Sequence, residues 1–183
     1  MTDLAYAWNQ LEELLGPIHD DVQLFARRIA RSNAEGDDVF QEAVVRAARK
    51  LSGLRDRSKF KSWMYSVVVS VHRTRCRGSF WKRWVRDARP DPVGDDGSRW
   101  ADERASDARA TAALGSLDPA QREAIVLFEL HGYSIEEIAE IQSASIPSVK
   151  SRLVRGRDRL RSFYVKLEQP VSPALTTEEV CRG

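Results

Sequence analysis

Apolar residues recur along this chain at three- and four-residue steps, and no segment alternates in period two between hairpin turns, so the pattern predicts an all-α protein. Trp8, Leu11, Leu14 and Leu15 mark a first helix stopped by Gly16 and Pro17, and Val22, Phe25, Ala26 and Ile29 mark a second that ends before Asn33 to Gly36. A third, from Asp38 to Leu51, turns Phe40, Ala43, Val44, Ala47 and Leu51 inward; a fourth, from Phe60 to about Arg77, turns in Phe60, Trp63, Met64, Val67, Val68 and Val71. These four are expected to close one small core. Residues 87–108 lose the apolar stripe and gather Pro90, Pro92, Gly94, Gly97 and many Asp, which predicts a flexible linker. Beyond it, Asp118, Pro119 and Gln121 start a helix through Ile125, Leu127 and Phe128 that ends at Gly132.

The next two helices carry the most specific pattern. Ser134 and Glu137 form an S-x-x-E capping box, followed by inward Ile135, Ile138 and Ala139. Ser145 is placed to cap the second helix, where Pro147 in the first turn loses only an orphan N–H and Val149, Leu153, Gly156 and Leu160 make the buried stripe. Opposite that stripe fall Ser148, Ser151, Val154, Arg155 and Asp158, with Lys150, Arg152, Arg157, Arg159 and Arg161 along the flanks. An acidic helix, a turn and a basic helix imply a helix-turn-helix in which short side chains meet base edges while arginines hold phosphates. A surface hairpin with a solvated charged face is the plain alternative.

Charge sharpens this picture. The net charge of +2 hides an alternation: residues 1–45 hold 3 basic and 9 acidic side chains, 46–90 hold 14 and 2, 91–145 hold 4 and 12, and 146–166 hold 7 and 1. Two basic blocks separated by an acidic one suggest two contacts with a polyanion, weakened steeply by salt. On the third helix the outward residues Asp38, Gln41, Glu42, Val45 and Arg49 make an acidic and amide patch around one apolar side chain, which suits a protein partner. On the fourth, Lys61, Tyr65, His72, Arg73 and Arg77 are expected outward, and the run from Phe80 to Trp84 adds rings among cations, a mixture suited to single-stranded DNA. For Phe80 to Trp84, rings tucked on the bundle remain the alternative.

Several classes are disfavoured. No apolar run approaches the ~20 residues that span a bilayer, and Asp3, Glu12 and Glu13 stand where a signal peptide needs positive charge, so the expectation is a cytoplasmic protein without membrane insertion. Cys76 and Cys181 are far apart, and His19, His72 and His131 are scattered, so no disulfide, metal or cofactor framework is expected. Cys76 reads as an ordinary thiol rather than a redox sensor. With no nucleophile–base spacing and no Gly-rich phosphate loop, the chain is expected to bind rather than catalyse.

Asp38-Val-Phe-Gln-Glu42, then Phe60-Lys-Ser-Trp-Met-Tyr65, then an acidic linker and a helix-turn-helix with Val149-Lys-Ser-Arg-Leu153, is an ordered set. It resembles bacterial RNA polymerase sigma factors of the extracytoplasmic-function type over about residues 20 to 165. The resemblance implies a region 2 domain at 1–86, a linker at 87–108, a region 4 domain at 109–167 and a tail at 168–183 that carries no readable motif. It implies that Asp38, Gln41, Glu42 and Val45 dock on the clamp helices of the largest subunit of core RNA polymerase, with a further contact to the flap of the second-largest subunit. It implies that Arg55, Arg57, Ser58, Lys59, Phe60, Lys61, Trp63, Tyr65, His72 and Arg73 bind the minus-ten element of promoter DNA, melted to single strands. The inward phase of Trp63 fits a core aromatic better than direct base stacking. Ser148, Lys150, Ser151, Arg152, Val154, Arg155 and Arg159 would bind the double-stranded minus-35 element, with Val154 on a thymine methyl and Arg155 on a phosphate or guanine. An anti-sigma protein is an implied partner. The linker either threads the RNA exit path or serves as a solubilising tether. Ser70, Val69 and His72 depart from the usual residues of the minus-ten helix, and Ser143 takes a turn place often held by Gly, where φ > 0 would strain it. A stand-alone helix-turn-helix regulator is the competing reading, and it leaves Asp38 to Arg77 without a purpose.

Overall fold

The computed structural model describes residues 2–85 and 101–168, with side chains from 6–77 and 108–167. Among these, helices α1 (Thr2–Leu15), α2 (His19–Ile29), α3 (Asn33–Lys50) and α4 (Phe60–Val85) form the N-terminal half, and α5 (Ala101–Gly115), α6 (Pro119–Ile125), α7 (Ile135–Ile141) and α8 (Ile146–Glu168) the C-terminal half. No strand occurs among the described residues, and no described helix is long and apolar enough to cross a membrane.

The helix expected to run from Pro119 to Gly132 is α-helical only to Ile125 and continues as a π-helical turn over Val126–Leu130; three other helix limits differ from the sequence expectation, each for a local reason. α3 starts at Asn33 instead of Asp38, because Ser32 caps it by accepting from the Glu35 amide at 3.2 Å while Glu35 accepts from the Arg31 amide at 2.9 Å. Gly36 therefore lies in the first turn of α3, at a crossing so tight that a Cβ would stand 2.4 Å from Arg27 Cα. α5 starts at Ala101, so residues 101–108 are helical where a flexible linker was expected; the stretch has no stripe but is rich in alanine, the strongest helix former. α4 runs on to Val85, and the open question about the rings of Phe80 to Trp84 concerns side chains outside the described residues.

In the first half, Leu11, Leu15, Val22, Phe25, Ile29, Val39, Ala43, Met64, Val68 and Val71 are buried as the phases require, whereas Trp8, expected inward, is 38% exposed. In the second half, Ile125, Leu127, Ile138, Val149 and Leu153 close the core behind the helix-turn-helix. α8 crosses α6 closely enough that a Cβ on Gly156 would stand 2.9 Å from Ile125 Cγ1. The buried residues of both halves merge into one cluster, so the two units sit together with α4 between them.

The turn between α7 and α8 holds Ser143 at φ 47°, a left-handed conformation that strains a residue with a Cβ by roughly 1–2 kcal/mol. Ser143→Gly is expected to raise unfolding free energy by about 1 kcal/mol, read by urea denaturation. An unchanged midpoint would mean that the turn is relaxed as it stands.

Candidate nucleic-acid and partner interfaces

α8 presents the first surface. The capping box at α7 closes in both directions, with Glu137 N donating to Ser134 Oγ at 3.2 Å and Ser134 N to the Glu137 carboxylate at 2.8 Å. Ser145 precedes α8 and accepts from Ser148 N at 3.4 Å, as expected for its cap. With Val149, Leu153 and Gly156 against the core, Ser148, Lys150, Val154, Arg155 and Arg159 are exposed and Ser151 is half-buried. Arg152 departs from the expected DNA-facing set, since its Nη1 donates to Gln142 Oε1 at 2.6 Å and fixes the turn instead. Arg157 is paired with Glu129 at 2.7 Å and stacks on Phe128, so it too is committed internally. What remains is an apolar point, Val154, ringed by hydroxyls and cations, a surface able to enter a major groove.

The second surface begins at the loop before α4. Asp56 organises it by accepting from Ser58 N at 3.0 Å and Ser58 Oγ at 2.6 Å, and these hydrogen bonds hold its carboxyl below the usual range. Arg55, Arg57, Ser58 and Lys59 are all exposed around that turn. Phe60 is buried, Lys61 is exposed and lies 3.5 Å from Asp21, and Trp63 is half-buried with its ring 5.8 Å from Phe60. Trp63 thus packs as the inward aromatic that its phase suggested.

Further along α4, the expected outward face is not free. Tyr65 and His72 are buried, and Arg73 is half-buried. Tyr65 pairs its hydroxyl with His131 Nδ1 at 3.0 Å and sets its ring 5.2 Å from those of His131 and Tyr133. Burial pushes the Tyr65 phenol up and Tyr133 up to about 12, and pushes His131 down. His72 Nδ1 lies 2.9 Å from Glu123 Oε1, and its Nε2 lies 3.4 Å from Cys76 Sγ. Burial opposes charge on His72, yet the hydrogen bonds with Cys76 and Glu123 outweigh it and hold the imidazolium up to about 9. Arg73 donates to Glu123 Oε2 from Nε at 3.0 Å and Nη2 at 2.7 Å, and from Nη1 to the Gln142 carbonyl at 2.7 Å. The reason for the difference is a second stripe on α4: Val69, His72 and Arg73 follow Tyr65 by four, seven and eight residues, and Tyr65 also meets Phe25 of α2 with ring centroids 4.8 Å apart. There they receive α6, α7 and the turns beside them.

Two residues of α6 that the sequence reading did not single out carry this junction. Glu123 is fully buried and also accepts from Gln142 Nε2 at 3.1 Å. Arg122 is 5% exposed; Nη1 donates to the carbonyls of Ile29 and Ala30 at 3.0 Å each, and Nη2 to those of Gly115 at 3.1 Å and Leu117 at 3.3 Å. The guanidinium therefore closes the C-terminal ends of α2 and α5 at once, where helix dipoles favour a cation. A charged pair at two buried positions of a helix otherwise lined by apolar residues is the sequence signal that could have marked them.

The third surface is the outer side of α3. Asp38, Gln41 and Val45 are exposed, while Glu42 is half-buried between Arg46 at 2.8 Å and Arg75 at 3.0 Å. Arg75 also reaches Asp38 at 3.3 Å, so part of the acidity is neutralised within the chain and Gln41 and Val45 are the more open contacts. Among the described residues, no group of three or more His, Cys, Asp or Glu is placed to hold a metal ion.

A helical bundle with an exposed basic loop is joined to a helix-turn-helix with an exposed basic face. Residues 16–82 match the family model described as Sigma-70 region 2, and residues 108–160 that of Sigma-70, region 4. The chain belongs to the extracytoplasmic-function (ECF) sigma factors, a class that directs promoter recognition and transcription initiation. It is 31% identical over 158 residues to the ECF sigma factor SigM of Mycobacterium tuberculosis, covering 85% of this chain and 76% of that protein. It is 27% identical over 166 residues to SigE of Mycolicibacterium smegmatis, whose length it spans to 62%. EcfG of Rhodopseudomonas palustris is 28% identical, with 88% of this chain and 90% of that protein covered. The fold is shared with the sigma factor RpoE in complex with the anti-sigma factor NepR from Bartonella quintana, at TM-score 0.67 and 22% identity, covering 87% of this chain and 99% of that one. It is shared too with CnrH in complex with the cytosolic domain of CnrY, at TM-score 0.63 and 24% identity, covering 91% of this chain and 97% of that one.

Proposed function

We propose that this chain is a dissociable, non-catalytic specificity subunit of RNA polymerase that works in the cytoplasm and reads a promoter at two sites. The observation that carries the reading is the pair of exposed cationic surfaces, the loop Arg55 to Lys59 and the α8 face around Val154 and Arg155, on separate helical units of one chain. Residues 1–86 act as region 2 and 101–167, from the start of α5, as region 4. Asp38, Gln41, Glu42 and Val45 dock on the clamp helices of the largest polymerase subunit, and region 4 meets the flap of the second-largest. The basic loop with Lys61 takes the melted minus-ten strand, where cations hold phosphates, and Phe60 and Trp63 pack beneath it as the support that fixes the loop. Ser148, Lys150, Ser151, Val154, Arg155 and Arg159 read the minus-35 duplex. The folds seen in complex with NepR and CnrY support an anti-sigma protein as a further partner. A free regulator would need neither the α3 face nor the loop.

The division of labour is tested by two variants in reconstituted holoenzyme. Arg155→Ala is expected to weaken minus-35 binding about 5- to 100-fold, equivalent to ~1–3 kcal/mol, while still co-eluting with core polymerase. Val45→Asp is expected to do the reverse, lowering polymerase affinity about tenfold or more with promoter contacts intact. It is a cleaner probe than Glu42→Lys, which would also oppose Arg46 and Arg75. Loss of both functions in both variants would contradict the reading, and so would failure of the wild-type chain to direct any start on genomic DNA.

A further inference from the structure

We propose that Cys76 is a peroxide-reactive modification site, a nucleophilic sulfur held by His72, Glu123 and Arg122 and converted to a sulfenate by hydrogen peroxide. Along the sequence this residue reads as an ordinary thiol, and the fold gives it unusual neighbours. Cys76 is half-buried on α4, one turn after His72, and its Sγ lies 3.4 Å from His72 Nε2. Nδ1 of the same ring lies 2.9 Å from Glu123 Oε1. Sulfur, imidazole and orienting carboxylate therefore stand in line, the arrangement in which a histidine readies a thiol for attack. Glu123 is fully buried and is itself held by Arg73 and Gln142, so the imidazole is fixed rather than free to swing.

A second observation points to an anion at the sulfur. Arg122 is 5% exposed, and a negative charge on Cys76 acts directly on its guanidinium. Four of its five N–H groups meet the carbonyls of Ile29, Ala30, Gly115 and Leu117. The fifth, on Nε, is buried without a hydrogen-bond partner among the described residues. A buried donor without an acceptor is costly, and an oxygen on the sulfur supplies one. Charge agrees: the single carboxylate of Glu123 answers both His72 and Arg73, and Arg31 and Glu35 act on Arg122 with opposite signs, so the surroundings of Cys76 are positive on balance.

Hydrogen peroxide is small enough to reach a half-buried sulfur, and the step needs no other reactant. Facing the His72 imidazolium, the deprotonated sulfur attacks one peroxide oxygen; the S–O bond forms, the O–O bond breaks, and two electrons pass from sulfur to peroxide. The leaving hydroxide takes the proton of the transferred oxygen and departs as water. A sulfenate thus replaces a thiolate with no change in the charge of the site, and its oxygen accepts from His72 Nε2 and Arg122 Nε.

The test uses the full chain. Hydrogen peroxide is added to folded protein and to protein unfolded in guanidinium chloride, then removed with catalase, and the free thiol left at each cysteine is read by alkylation and mass spectrometry. Folded Cys76 is expected to lose its thiol about tenfold faster than the same residue in the unfolded chain, with the product captured by a 1,3-diketone that reacts with sulfenic acids. His72→Gln, which removes the imidazolium, should slow Cys76 about tenfold and leave Cys181, the second thiol of the chain, at its wild-type rate. A folded Cys76 that reacts no faster than in the unfolded chain overturns the proposal, and so does an unchanged Cys76 rate in the folded variant. Should circular dichroism show His72→Gln unfolded, the folded and unfolded wild-type rates decide alone. The result is independent of the promoter reading, which the holoenzyme assay tests.

Discussion

Arg122→Met is expected to lower stability by about 3 kcal/mol and the melting temperature by roughly 10 °C, the largest single-residue effect on the fold. Four carbonyls, of Ile29, Ala30, Gly115 and Leu117, lose their donor, and each unpaired buried acceptor costs ~1–3 kcal/mol. Methionine fills the volume and spares the desolvation of a buried charge, which offsets part of that loss. The offset is real, because burial already pushes the pKa of Arg122 down and its Nε has no partner. The balance still favours arginine, since two helix ends converge on it and each carries partial negative charge. Calorimetry of the two proteins decides the matter: a difference under about 1 kcal/mol would show the guanidinium to be as costly as the carbonyls it serves.

Replacing Arg55, Arg57 and Lys59 together by alanine is expected to lower affinity for single-stranded DNA about a hundredfold at low salt. The slope of log affinity against log salt should fall by about 2, from three lost phosphate contacts. The loop is exposed and turned by Asp56 without help from these three side chains, so the fold should be unchanged. A salt titration that gives parallel lines for wild type and triple variant would place the phosphate contacts elsewhere, the exposed cations of α8 among them.

Both predictions depend on features that differ in how visible they are along the chain. The helix-turn-helix was readable because its signals are local: a capping box at Ser134 and Glu137, a cap at Ser145, Pro147 in a first turn, and a stripe through Val149, Leu153 and Gly156. Each depends on neighbours within four residues, and the structure places every one as the spacing requires. The α3 start at Asn33 had the same kind of signal, Ser32 and Glu35, although Gly36 in its first turn is a poor helix former. That glycine serves a close helix crossing, which is a contact with Arg27 and has no mark in the local pattern.

Tyr65, His72 and Arg73 show the opposite case. Helical phase separated them from the stripe of Phe60, Met64 and Val71, and the expectation that they face solvent did not follow, since Tyr65 meets Phe25 of α2 and His72 and Arg73 meet Glu123 of α6. A periodic pattern tells which residues share a face; it does not tell whether a distant segment will cover that face. Glu123 and Arg122 lie about 50 and 90 residues from the groups they meet, and no local rule joins such pairs.

The sequence by itself therefore determined the helical class, the order of the elements, the helix-turn-helix and the family, because caps, stripes and motifs are short-range properties of the chain. Only the tertiary structure decided that α4 is buried on two sides, that Arg73 spends its donors internally and Arg152 turns Nη1 to Gln142, and that the two units share a core. Those outcomes come from burial and charge pairing between segments remote in sequence, whose energies exist only once the chain has brought them together.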